Sequence, residues 1–195
     1  AFLGYSSVEE IFGGITVTER NFNYEGLFRT RRCGLQAMRG GGEYLQLNTQ
    51  IGQKSRTYTL SWTKPYFMDS KWAVGFDLSQ ATTRYISKEY DLDTTSLALR
   101  AQYDVNPFLR FGVQYRLKNG SVDLRHHGSH INELEEEADI HGLISAVGPS
   151  FSYDSTDHPV KPSCGFRSKL LFEYAGLGGD HTFFNAAYLN SYYFP

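Results

Sequence analysis

Tyr44-Leu45-Gln46-Leu47-Asn48-Thr49-Gln50-Ile51 places Leu45, Leu47 and Ile51 on one side of an extended chain and Gln46, Asn48 and Gln50 on the other. Successive side chains of a β-strand point to opposite faces, so this period of two marks a strand with one oily and one wet face. The pattern continues downstream. Tyr58, Leu60 and Trp62 oppose Thr57, Thr59, Ser61 and Thr63, and Trp72, Val74, Phe76 and Leu78 oppose Ala73, Gly75, Asp77 and Ser79. Leu97, Leu99, Ala101, Tyr103 and Val105 alternate with Ser96, Ala98, Arg100, Gln102 and Asp104. Leu109, Phe111, Val113, Tyr115 and Leu117 alternate with Arg110, Gly112, Gln114, Arg116 and Lys118. Upstream, Ile15 and Val17 oppose Thr16, Thr18 and Arg20, after a short strand at residues 2–6. Residues 143–153 and 166–174 alternate less sharply, and 182–194 are apolar on both faces in places. This reading predicts about ten strands and no helix.

The 195 residues hold 19 Lys+Arg against 21 Asp+Glu, a net charge of −2 that makes no electrostatic case for a nucleic-acid partner. With 41% hydrophobic and 21% charged residues the composition is that of a folded chain, and neither an internal repeat nor a low-complexity linker divides it. No stretch approaches the roughly 20 apolar residues of a membrane helix. The mean hydropathy of −0.42 looks soluble, but a transmembrane β-barrel has a low average too, because each strand is oily on one face only. Strands of about ten residues suit a tilted barrel strand better than the five or six of an average soluble strand. A soluble sandwich is the other home for such strands, its oily faces packed against a second sheet. Aromatics near strand ends (Tyr44, Tyr58, Tyr66, Phe67, Trp72, Tyr90, Tyr103, Phe108, Tyr115, Tyr153, Tyr192, Tyr193) favour the barrel, whose interfaces carry aromatic girdles.

The connections differ at the two ends of the strands. Residues 66–71 and 106–107 are tight, whereas 82–93 and the very polar 119–139 at the opposite end are expected as longer loops. Residues 23–42 break the rule, with Arg29, Arg31, Arg32, Arg39 and three successive glycines at the tight end. Lipid headgroups, a partner domain or plain solvent would each suit that connection. His126, His127 and His130 before Glu133, Glu135, Glu136, Glu137 and Asp139 have metal-binding residue types, but their spacing matches no metal motif and a solvated loop explains them better. Ser155, Asp157 and His158 are sequence neighbours without a nucleophile elbow, so no enzyme site is expected. Gly40-Gly41-Gly42 lacks the Lys-Ser/Thr of a phosphate loop and suits a turn or close packing. Cys33 and Cys164 fit no C-x-x-C pattern, and the strands between them argue against a mutual disulfide. No metal or cofactor is expected.

Several segments together resemble the bacterial surface antigen family, the BamA-type outer-membrane protein assembly factors. They are Gly4-Tyr5-Ser6-Ser7-Val8-Glu9, the run from Phe12 through Arg20 to Phe22, Arg39-Gly40-Gly41-Gly42-Glu43-Tyr44-Leu45, and the turn Thr63-Lys64-Pro65-Tyr66-Phe67. Tyr153-Asp154-Ser155-Thr156-Asp157-His158-Pro159 with Gly165 resembles the family's Asp-rich turn before a Gly-led strand. The turn residues Thr63, Pro65, Tyr66, Phe67, Asp154, Asp157, Pro159 and Gly165 therefore carry the family's marks. The resemblance implies an all-β antiparallel transmembrane barrel in the bacterial outer membrane, with about ten of sixteen strands present. On this expectation residues 1–195 are the N-terminal portion of the barrel, with POTRA domains and the later strands outside this chain.

The family folds and inserts other β-barrels without nucleotide hydrolysis, so the resemblance implies a non-enzyme whose partners are the lipid bilayer, unfolded outer-membrane β-barrel proteins and accessory assembly lipoproteins. The first strand, Phe2, Leu3, Gly4, Tyr5 and Ser6, is expected to be a substrate-pairing edge, with Gly4 lowering its stability. Secretion of polypeptides by a transporter of the same superfamily, or a small surface adhesin using 119–139, are the alternatives.

Overall fold

A computed structural model describes residues 1–6, 10–87, 90–124, 141–158 and 161–194. Ten strands follow one another: β1 (Phe2–Ser6), β2 (Glu10–Phe22), β3 (Glu43–Gly52), β4 (Ser55–Lys64), β5 (Trp72–Ser87), β6 (Tyr90–Asp104), β7 (Leu109–Leu124), β8 (His141–Asp154), β9 (Gly165–Ala175) and β10 (Phe183–Tyr193). They form one antiparallel sheet in which spatial order equals chain order, with β1 and β10 as its edges; the sheet does not close on itself. The expected strand count and register hold.

Cross-strand pairing aligns the oily residues into rows. Leu47 stands opposite Val17 on β2 and Leu60 on β4, and the row continues through Leu78, Leu97 and Leu117. A second row runs Leu45, Trp62, Phe76, Leu99, Tyr115, Val147, Tyr174, Phe184. A one-residue slip in any strand would move its apolar set to the other face, so these rows lock the register. The wet face holds ion pairs: Asp77 with Arg100 at 2.8 Å, Asp104 with Arg110 at 2.6 Å and Arg116 with Glu173 at 2.6 Å. Arg100, Gln102, Gln114, Arg116, Lys169 and Glu173 line an open groove of about 480 Å³ on this face.

The sheet has no core. Among the described residues only Phe22, Ala146 and Ala175 are buried hydrophobics, while Leu47, Leu78 and Leu99 on the rows remain 44–47% exposed to anything outside the protein. A sandwich requires a second layer to cover that face, and the single sheet supplies none. Hydrocarbon is the solvent such a face fits.

Two expectations are corrected. Residues 82–87, 90–93 and 119–124 are strand: Thr82 pairs Asp93, Arg84 pairs Asp91, and Tyr90 pairs Leu124. They read as loop because their outward positions turn polar (Gln80, Thr82, Asp93, Asn119), which erases the contrast between faces without ending the ladder. The ladder projects beyond the oily rows, and residues 125–140, with the histidines and the acidic run, lie outside the described residues. The second correction is a helix, α1 (Tyr24–Cys33), followed by a 3-10 turn at Leu35–Met38 in the connection from β2 to β3. Asn23 starts it, its Oδ1 accepting the Glu25 N–H at 3.1 Å, and Gly34 ends it at φ +69°. Both were legible signals.

The row argument is testable in the complete protein. Leu99→Arg, on the oily face, is expected to cost about 2–4 kcal/mol in bilayer unfolding titrations if it lies near the midplane, whereas Gln102→Arg on the wet face leaves the midpoint nearly unchanged.

Candidate functional site

The short connections, the helix and the beginning of β1 share one end of the sheet, here called the rim. β1 is an edge strand of five residues that pairs with β2 alone among the described strands, from Phe2 opposite Gly14 to Ser6 opposite Glu10. Leu3 and Tyr5 project from the oily face, 80% and 77% exposed. On the wet face the hairpin is built from two crossed pairs: Phe12 lies opposite Gly4, and Phe2 opposite Gly14. A Cβ at Gly4 would meet the Phe12 ring at 2.7 Å and one at Gly14 the Phe2 ring at 2.6 Å, and the two rings meet edge to face at 6.1 Å. Each ring fills the gap left by a missing side chain, a device that rescues glycines in edge strands. Gly4 therefore weakens β1 less than its identity suggests, and the stability of the edge passes to Phe12.

The two family turns also stand at the rim. In the first, Thr63 pairs Tyr44 and Gly75, and Pro65 leads into Tyr66, Met68 and Asp69, all left-handed at φ 51–55°. Phe67 O accepts bonds from the Ser70 N–H at 3.2 Å and Oγ at 2.5 Å, closing that turn. In the second, Asp154 accepts the Thr156 N–H at 3.1 Å and the Arg167 Nε at 2.8 Å. Asp157 accepts the Ser163 N–H at 2.9 Å, the Cys164 N–H at 3.1 Å and the Ser163 hydroxyl. These bonds, the serine hydroxyl first, hold the Asp157 carboxyl down to about 2. Gly165, at φ +116°, has no room for a Cβ, which would lie 2.6 Å from Ser155 O. Pro159 lies outside the described residues. Ser155, Asp157 and His158 are thus bound into the turn: Ser155 Oγ donates to Phe166 O at 3.1 Å and His158 Nδ1 accepts the Lys161 N–H at 3.1 Å. Cys164 is a free, exposed thiol.

One group at the rim was missed from sequence. Glu43, on the oily-face parity of Leu45 and Leu47, is fully buried. Its Oε2 accepts the backbone N–H of Tyr24 at 2.9 Å and Trp62 Nε1 at 3.0 Å, and its Oε1 pairs with Lys64 Nζ at 3.1 Å. Lys64 Nζ also sits 4.8 Å from the centre of the Tyr24 ring, which meets Trp62 edge to face. The donors come from two separate segments, the start of α1 and the end of β4, so no local motif announces the cluster. The glycine run closes the same connection: Gly40 N–H bonds Asn21 O and Gly42 N–H bonds Asn21 Oδ1, both at 2.9 Å.

From this cluster an aromatic belt runs along the rim on the oily face. Trp72 meets Tyr103 at 5.1 Å, Phe111 meets Phe151 at 5.2 Å, Tyr153 meets Phe166 at 6.2 Å, and Phe166 meets Tyr192 at 6.4 Å. Of the aromatics singled out from sequence, Tyr44 and Tyr193 belong instead to the wet face and Tyr115 to mid-strand. A one-sided sheet with an aromatic belt is the build of an outer-membrane barrel wall. The family model described as the Omp85 superfamily domain matches residues 38–195.

This chain belongs to the Omp85 superfamily.

No curated protein matches it. Among solved structures it is similar to BamA from Haemophilus ducreyi lacking POTRA domains 1-3, with a TM-score of 0.64 and 15% identity over 94% of this chain and 35% of that one. At that identity the likeness is one of fold, and the chain spans about a third of the other's length. Family and fold together imply a bacterial outer-membrane β-barrel of the Omp85 superfamily.

Two outcomes follow for the site. Phe12→Ala should remove both ring contacts at about 0.2–1 kcal/mol per cross-strand pair, seen as faster amide exchange at residues 2–6 with β3 to β7 unchanged. Because the Asp157 carboxyl is depressed from 3.8 to about 2, its contribution to the turn is complete above pH 3.8 and lost as pH falls through 2. Amide exchange at Ser163 and Cys164, corrected for intrinsic rates, should rise across that window, and Asp157→Asn should abolish the pH dependence.

Proposed function

We propose that the protein containing this chain folds and inserts β-barrel proteins into the outer membrane, with β1 as the strand on which a client chain is templated. The observation that carries the reading is β1 itself, a five-residue edge strand laddered to β2 and packed on it through two aromatic-glycine pairs. An edge strand presents backbone N–H and C=O groups along one side, and in hydrocarbon a client strand lowers its own free energy by pairing there. The remainder of a sixteen-stranded barrel and POTRA domains complete the protein in this reading, which acts without a catalytic residue or nucleotide. Clients are unfolded β-barrel proteins, the bilayer is the working medium, and accessory lipoproteins join the assembly.

The test is site-directed crosslinking in the complete protein, from Leu3 or Ser6 to a stalled client barrel. Adducts at these positions are expected, with none from the outward Leu99. Absence of adducts in a correctly assembled protein would remove the templating role, and adducts arising instead from Gln114, inside the groove, would favour passage of polypeptide through the pore.

A further inference from the structure

We infer that α1 is an interfacial anchor that seats the rim in the headgroup region of the adjoining leaflet, with its aromatic and leucine side chains in the acyl boundary and its arginines serving anionic lipid phosphates. Three observations converge. The helix starts on the hydrocarbon side of the wall: the buried Glu43 carboxylate, on the oily-face parity of β3, accepts the Tyr24 N–H, and Tyr24 packs on Trp62 within the aromatic belt. The helix is therefore continuous with a surface that already meets lipid.

Its orientation about its own axis is also set. Gly26 is buried, and a Cβ there would lie 1.8 Å from Ala37 O, so this face is packed tightly on the 3-10 turn. At about 100° per residue Tyr24 and Phe28 fall opposite Gly26, with Leu27 beside them, an arc that also takes in the Arg31 position. Tyr24, Leu27 and Phe28 are 40%, 52% and 84% exposed; Tyr24 rests against Trp62 and Lys64, whereas Leu27 and Phe28 stand out from the protein. On an ordinary surface so exposed a Phe and Leu pair would stand in water. At the level of the belt it meets acyl chains.

Charge supplies the third observation. The last five residues of α1, Arg29-Thr30-Arg31-Arg32-Cys33, hold three arginines against the single Glu25 of the first turn. Arginine-rich helices that also carry Phe and Leu lie in the interface plane, about 5–10 Å into the headgroup and acyl boundary, and bind anionic lipid more strongly than neutral lipid. A protein partner would also cover an apolar face, but the arginines select the phosphate-rich surface that the wall already borders.

The test places a nitroxide at position 28 (Phe28→Cys, with Cys33→Ser and Cys164→Ser) of the complete protein in liposomes of phosphatidylethanolamine and phosphatidylglycerol. Collision with oxygen and with the water-soluble nickel chelate NiEDDA is then measured, and a label at Leu99→Cys reports the hydrocarbon face in parallel. The expected result is oxygen access exceeding nickel access at position 28, less so than at position 99. Arg29→Glu, Arg31→Glu and Arg32→Glu together should shift the label toward water in these liposomes and abolish the difference between them and liposomes of phosphatidylcholine alone. Free nickel access at position 28 would overturn the anchor in favour of a solvated turn, and exclusion of both reagents would overturn it in favour of a protein partner. An unchanged depth after the triple charge reversal would overturn the role of the arginines. A nickel-accessible label at position 99 would instead reject the membrane wall on which the inference rests. Because Phe28 is the most exposed residue of the trio, labelling removes little packing, and a label at Leu27 provides an independent second reading.

Discussion

Backbone hydrogen bonding within hydrocarbon is the constraint on which this structure rests. A peptide group that cannot reach water must find its partner in the chain, so strands can cross the membrane only within a continuous ladder. Ten strands meet that demand by pairing each neighbour in turn, and they do so without a protein core. In place of an interior, the sheet sets apolar side chains on one face and charged ones on the other. The same constraint falls on β1 and β10, the two edges of the described sheet. An edge at membrane depth is a position that natural proteins close, cover or use.

The rim concentrates the polar chemistry that the oily band excludes. Glu43 illustrates the condition under which a carboxylate is tolerated on an apolar face: its two oxygens accept a backbone N–H from α1 and an indole N–H and an ammonium from β4. Removing one partner from such a group leaves a buried charge short of donors, which costs more than the bond itself contributes. The cluster therefore couples the start of α1 to β3 and β4. In the second family turn, Asp154 and Asp157 do comparable work in contact with solvent, organising the path from β8 into β9.

Most of the wall was legible because alternation is a local signal with a global meaning. Leu45, Leu47 and Ile51 could face only one way together, and the pairing rows followed once the neighbouring segments showed the same parity. The signal faded where its physical cause did. Beyond Leu78 and Leu97 the outward residues turn polar, so strand persisted while contrast between faces vanished. In β10, Phe183, Leu189 and Tyr193 on the wet face match Phe184, Tyr188 and Tyr192 on the oily one, and alternation has nothing to distinguish. The helix was missed for another reason: its Asn23 and Gly34 boundaries were present, but three arginines and a glycine obscured a helical period carried by only Tyr24, Leu27 and Phe28. The Glu43 cluster lay beyond local reading altogether, since its donors are separated by about twenty residues in each direction.

The spatial order of the strands has a consequence for how such a wall comes to exist. Among the described strands every pairing joins segments consecutive in the chain, so the entropic cost of loop closure stays low at each step. Growth can proceed like a zip, each completed hairpin offering the next segment a finished margin, and a stall at any stage leaves a sheet that is smaller but correctly paired.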